Sequence, residues 1–290
     1  MNADLYVSQG RTHAMCQDYA GVRISDRSAV VVVCDGCSTS PHTDIGARLL
    51  ARFALRRFDG LDMCEDGKSS GMMAVLREAE TAVSQLCLPT QCLDATMIIV
   101  QSDGLQYSAS IYGDGAIAVG YSDGSIEVIV VDYRSNAPRY PAYDLDADRS
   151  RRYIQMIERE NRGLDVEKRQ QTIRFDADGH VRIGDIIHPP LTEPVFLSGK
   201  VAGGEDRSAV LWIGALTDGI QSFTRPAAVE SGRSREAVQL AEALATVFDN
   251  FTNLRGKFVE RQVSWFLNDC VKNGWRHEDD FTFAAISFAS

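Results

Sequence analysis

The 290-residue chain has no long hydrophobic run. The longest, Ala29 to Cys34, falls far short of the ~20 apolar residues that cross a bilayer. Its first residues, Met1-Asn2-Ala3-Asp4, include no basic stretch leading into an apolar one, so a chain without a secretory signal, working in the cytoplasm, is expected. Internal repeats and low-complexity linkers are absent, and the composition excludes a collagen-like fibre, a coiled coil and a disordered tail. Basic residues are in deficit: 30 Lys and Arg stand against 40 Asp and Glu, for a net charge of -10. An acidic surface repels nucleic-acid phosphates and anionic lipids, so neither nucleic acid nor membrane is an expected partner. The 7 cysteines are an odd number in a long chain without an export signal, which points to reduced thiols rather than a disulfide framework.

What is present suffices for a sizeable core, with 44% hydrophobic residues. The text reads as one domain over 1–290, with an irregular insert at about 132–194. β-Branched or aromatic runs predict strands at Leu5–Ser8, Tyr19–Ile24 and Ala29–Cys34. The period then lengthens. Ile45, Leu49, Phe53 and Phe58 share a helical face that Asp59-Gly60 should end, and Gly71–Leu86 carries a second apolar stripe. Short strands follow at Thr96–Val100, Tyr107–Tyr112, Ala116–Tyr121 and Ile126–Val131. The breaks between them, Ser102-Asp103-Gly104, Gly113-Asp114-Gly115 and Ser122-Asp123-Gly124, read as tight turns, so an antiparallel meander is expected. The insert offers a short helix at Tyr153–Asn161, stopped by Gly163, and a strand at Gln171–Phe175. Beyond it lie a strand at Ala209–Leu216, helices at about Arg233–Phe248 and Lys257–Val271, and a final strand at Phe281–Phe288. Trp265 and Phe266 fall at core spacing in the last helix. This order favours antiparallel sheets with helices outside over a doubly wound parallel sheet.

Four acidic turns flank predicted strands: Asp35-Gly36, Asp114, Asp218-Gly219 and Asp279-Asp280, with Asp18 just before Tyr19 as a fifth candidate. Mg²⁺ and Mn²⁺ want oxygen ligands, and carboxylates converging on one place repel each other unless a cation lies between them. Singly, each Asp-Gly is ordinary turn chemistry. The ordered series carries the signal.

That series is Gln17-Asp18, Val32-Val33-Cys34-Asp35-Gly36, Asp44-Ile45-Gly46-Ala47, Ala95-Thr96, Gly113-Asp114-Gly115, Leu216-Thr217-Asp218-Gly219 and Asp279-Asp280-Phe281-Thr282. It resembles, in order and over essentially the whole chain, the motifs of metal-dependent protein phosphatases of the 2C type, bacterial-type serine/threonine phosphatases among them. The resemblance implies an α+β fold, a four-layer α/β/β/α sandwich of two antiparallel sheets flanked by helices. It implies two Mn²⁺ or Mg²⁺ ions, bridged by Asp35 and held further by the Gly36 carbonyl, Asp218 and Asp279, the first acid of its motif. Asp18 would hold water around the ions, and Asp114 would help bind a looser third one. The implied reaction is hydrolysis of phosphoserine and phosphothreonine on a protein substrate by in-line attack of a water that the ions activate, with a Ser/Thr kinase as the opposing partner and the chain acting as a monomer.

Consistent with that reading, the sequence has no Gly-x-Ser-x-Gly elbow and no cysteine phosphatase loop. Two departures matter. Where relatives carry a phosphate-gripping arginine this chain has His13, which resembles some bacterial members, with Arg11 nearby. Where many have histidine after Asp-Gly it has Cys37. Two other readings stand beside the first: a phosphatase-like regulatory or phosphoprotein-binding module with weak catalysis, and a thiol-redox or zinc protein built on Cys34-x-x-Cys37. Arg151, Arg152, Arg159 and Arg162 read as the solvated face of a short helix, or as a docking surface for a phosphopeptide.

Overall fold

Every residue of Ala29–Cys34 is buried, so this strand must be covered on both faces. The computed structural model describes residues 1–58, 70–161, 166–202, 208–227 and 235–289. In chain order its strands are β1 (Asn2–Ser8), β2 (Tyr19–Ile24), β3 (Ala29–Cys34), β4 (Met97–Ser102), β5 (Gln106–Tyr112), β6 (Gly115–Tyr121), β7 (Ile126–Tyr133), β8 (Lys168–Phe175), β9 (Val181–Ile183), β10 (Val195–Lys200), β11 (Val210–Leu216), β12 (Phe223–Pro226), β13 (Arg235–Ala237), β14 (Arg276–His277) and β15 (Phe281–Ser287). The helices are α1 (Thr43–Arg57), α2 (Ser70–Gln85), α3 (Ala147–Asn161), α4 (Leu240–Val247) and α5 (Phe258–Lys272). None of the described helices is long and apolar enough to cross a membrane.

Two antiparallel sheets dominate. One has the order β1-β15-β11-β6-β7-β8-β9, the other β10-β5-β4-β3-β2, and a small third sheet joins β13, β12 and β14. Alternation along the strands explains the layers. Val31 and Val33 of β3 meet Ile117, Val119, Ile213 and Ala284 of the larger sheet, while Val30, Val32 and Cys34 point the other way. That outer face is covered by α1 and α2 through Leu50, Ala54, Met72 and Leu76. Leu50 and Leu76 have no exposure at all, and each contributes about 2 kcal/mol of transfer free energy. On the opposite side α4 and α5 cover the larger sheet, where Phe258 and Phe266 join a cluster with Trp212, Phe248, Phe251 and Phe283. The chain is thus the four-layer α/β/β/α sandwich expected of it.

Several local expectations need correction. Gly113-Asp114-Gly115 does not close a hairpin. β5 belongs to the smaller sheet and β6 to the larger, so this tripeptide carries the chain from one sheet to the other. Gly113 and Gly115 take φ of 93° and 116°, which only glycine adopts without strain, and a Cβ on Gly115 would lie 2.7 Å from the Leu216 carbonyl oxygen. A turn signal says that the chain bends, not which sheet receives it.

The helix expected from Arg233 begins at Leu240; residues 235–237 instead pair with β12. The stretch from Asp132 to Pro194 contains α3 and an eight-residue β8 paired along its whole length with β7. Its first five residues, Lys168 to Thr172, are all polar, which masks the strand pattern. β10 escapes notice because Ser198-Gly199-Lys200 reads as loop, although each residue pairs with β5. Phe266 is buried, but Trp265 is 45% exposed. Asp59-Gly60, Arg162, Gly163 and Arg233 lie outside the described residues.

Candidate metal centre

Asp35 leaves the end of β3 held by its backbone. Its carbonyl accepts from Thr96 N at 2.8 Å, Gly36 N donates to the Gln17 carbonyl at 3.2 Å, and Cys37 N donates to the Asp94 carbonyl at 2.8 Å. The carboxylate therefore projects from the smaller sheet at a fixed angle. Asp218 opens a single helical turn directly after β11 of the larger sheet. Gly219 beside it admits the chain before β15, since a Cβ there would lie 1.8 Å from the Asp280 carbonyl oxygen. Asp114 arrives on the crossover between the sheets. One carboxylate oxygen each from Asp35, Asp114 and Asp218 lie within 4.8 Å of one another. Residues far apart in sequence converge because three strand ends meet at one end of the sandwich.

These three line a cavity of about 370 Å³ together with Gly36, His13 and Asp279. Asp279 stands at its rim, 43% exposed, outside the tight group of three. Its neighbour Asp280 is buried and occupied: it accepts from Gly10 N at 2.7 Å and Gln17 N at 2.6 Å, and His13 Nδ1 lies 3.0 Å away. Asp280 anchors the N-terminal segment, which leaves Asp279 as the acid of the pair that faces the cavity. Asp18 lies beneath. Thr217 and Thr282 donate to its Oδ2 at 2.9 and 2.7 Å, while its Oδ1 has no partner. Asp114 thus shares one group with Asp35 and Asp218.

The electrostatics are those of a site lacking counter-charge. Burial, followed by the charges of Asp18, Asp218, Asp114 and Asp279, pushes Asp35 well above the usual carboxylate range. Burial and the Asp218 charge do the same to Asp114. Burial and the Asp279 charge raise Asp218 to about 6. Burial raises Asp18 to about 7, against the pull of its hydrogen bond from Thr282. Among the described lining residues none is Lys or Arg. His13 is the nearest titratable base, with Nε2 3.3 Å from Asp279 Oδ1. Burial lowers its pKa, but the Asp280 hydrogen bond and the charges of Asp280, Asp279 and Asp18 together leave it raised. Buried oxygens of Asp18, Asp114 and Asp218 lack partners. Hard oxygen donors, orphaned and convergent, fit a small divalent cation.

No sequence motif marks the opposite wall. Tyr140, Tyr143 and Tyr153 form it, Tyr143 meeting Tyr140 edge-on at 5.6 Å and Tyr153 at 5.2 Å. Arg149 lies 4.8 Å over Tyr143 and grips Asp94 with bonds of 2.6 and 2.8 Å, and Asp94 also accepts from Ser40 Oγ at 2.8 Å. This buried pair ties α3 to the loop that follows Asp35. Arg149 sits in an arginine-rich run that reads as solvated, and no spacing rule links it to Asp94. Arg149→Met would strand the Asp94 charge, so a loss of about 3–5 kcal/mol in urea denaturation is expected. Adding Asp94→Asn should restore much of it. Cys37 also faces the cavity. Burial raises its thiol, yet hydrogen bonds involving Thr39 and Tyr140 outweigh that and hold it below the ordinary value.

Comparison with known proteins supplies the remaining observation. A family profile described as Protein phosphatase 2C matches residues 8–164. No curated protein matches the sequence. Solved structures do match in fold: one titled a bacterial serine phosphatase at TM-score 0.53 and 10% identity, covering 100% of this chain and 98% of that one. The serine/threonine phosphatase Stp1 from Staphylococcus aureus aligns at 0.52 and 11%, covering 99% and 95%. The S. agalactiae serine/threonine phosphatase aligns at 0.52 and 13%, covering 98% of each chain.

Proposed function

Because the chain belongs to the protein phosphatase 2C family, we propose that it hydrolyses phosphoserine and phosphothreonine monoesters on a protein substrate with the help of two Mn²⁺ or Mg²⁺ ions. The observation that carries this reading is the convergence of Asp35, Asp114 and Asp218, with orphaned oxygens on Asp114 and Asp218, in a cavity bordered by His13. Asp35, Asp218, Asp279 and the Gly36 carbonyl would hold the ions, with Asp114 available to a third. When bound, such ions supply a strongly polarised water for in-line attack on phosphorus and offset charge on the phosphoryl oxygens.

The protein's own groups have separate tasks. Asp18, fixed by two threonine hydroxyls and with its Oδ1 left without a partner, would accept from a water and orient it. His13, with Nδ1 3.0 Å from an Asp280 carboxylate oxygen, would offer its ring edge to a phosphate oxygen. Tyr140 and Tyr143 line the cavity, so the segment 132–194 would shape which phosphoproteins fit.

The test is turnover of p-nitrophenyl phosphate and a phosphothreonine peptide by protein purified free of contaminating phosphatases. Activity should require Mn²⁺ or Mg²⁺, stop with EDTA and return when the ion is restored. Absence of metal-stimulated turnover on both substrates would replace this reading with a non-catalytic phosphoprotein-binding module.

A further inference from the structure

Helix α1 carries arginine at every fourth position of one face: Arg48, Arg52 and Arg56, all exposed. Residues four apart on a helix lie in a row. The row runs beside β2, the outermost strand of the smaller sheet, where Arg23 is exposed as well. Between helix and strand lies a groove of about 560 Å³. Its floor is apolar, with Tyr19, Val22 and Phe53, and its rim is Arg23, Arg52 and Arg56. No Asp or Glu is among the described lining residues. In a chain of net charge -10, this is a local reversal of sign.

The arginines are not equally engaged. Arg56 pairs with Glu78 and lies 5.3 Å over the Phe53 ring. Arg48 sits 5.8 Å over Tyr19. Arg52 makes no ion pair among the described residues. Among the described residues β2 is an edge strand paired with β3 alone, the kind of edge beside which another extended segment can lie.

We infer that this groove docks an extended acidic segment of a partner protein, its carboxylates meeting Arg52 and Arg48 and its apolar side chains entering the floor between Val22 and Phe53. Guanidinium groups pair with carboxylates in two-pronged fashion, and a concave apolar floor beside a strand edge suits a peptide. It suits a nucleic-acid backbone or a lipid surface poorly, because both would face the acidic remainder of the molecule. The groove shares no lining residue with the cavity around Asp35, so the inference stands whether or not the protein is a phosphatase.

The experiment uses the full chain and a fluorescein-labelled peptide in which Asp or Glu alternates with Val or Leu, read by anisotropy. Saturable binding is expected, weakening steeply as salt rises to about 0.5 M. Arg48→Glu with Arg52→Glu should raise Kd at least about ten-fold at unchanged melting temperature. Arg52→Ala, a milder change, should move Kd in the same direction if the double variant fails to fold. The matching Lys-containing peptide should not bind. The inference is overturned if the acidic peptide does not saturate, if Arg52→Ala leaves its Kd unchanged, or if a single-stranded oligonucleotide or phosphatidylserine vesicles displace it as effectively as unlabelled peptide.

Discussion

Asp35→Asn should lower turnover of a phosphothreonine peptide about 10³-fold or more. Asp35 is the carboxylate on which every other acid of the centre acts: Asp18, Asp218, Asp114 and Asp279 all raise it. Asparagine preserves its shape, and the backbone bonds from Thr96 N to the residue 35 carbonyl and from Gly36 N to Gln17 remain. What disappears is one charge and one strong oxygen ligand. Two effects of opposite sign follow. Calorimetric titration should show Mn²⁺ affinity sharply reduced, while the metal-free variant should melt at a higher temperature than the parent because a repelling charge is gone. Turnover within ten-fold of the parent at saturating Mn²⁺ would remove Asp35 from the proposed reaction.

The second large effect concerns pH. Asp18 and Asp218 titrate at about 7 and about 6 in the folded chain, and Asp35 and Asp114 lie well above the usual range. An unfolded aspartate titrates near 3.9. Between those limits the native state binds more protons than the unfolded one, so stability falls as pH rises. In EDTA the melting temperature should therefore drop from about pH 5 to about pH 8, by roughly 5 °C or more for a chain of this size. Mn²⁺ binds the deprotonated centre, so its stabilising effect should grow over the same interval. A flat profile in EDTA would mean that the carboxylates are solvated and apart rather than gathered and dry.

The layers were legible because they follow from simple patterns. β2 and β3 have the bounds read from their apolar runs, and β15 ends within a residue of its expected limit. Asp35, Asp114 and Asp218 at strand ends were legible too, since Asp-Gly beside a buried run is visible in text. Partnership was not. Nothing local distinguishes Asp279 from Asp280, yet one rims the cavity and the other is consumed by Gly10, Gln17 and His13. Arg149 and Asp94 are 55 residues apart, and the tyrosine wall depends on how α3 settles against the sandwich. The turn at Gly113-Asp114-Gly115 misled for a related reason: β5 and β6 are both apolar enough to belong to either sheet, and their destination is decided by packing.

That same crossover governs when the centre can exist. Asp35 belongs to one sheet, Asp218 to the other, and Asp114 to the strand-to-strand passage joining them. Neither half holds a complete ligand set before the halves meet, so ions captured there would act as a rivet through the seam of the sandwich. They would retard separation of the two halves while doing little to hasten their first encounter.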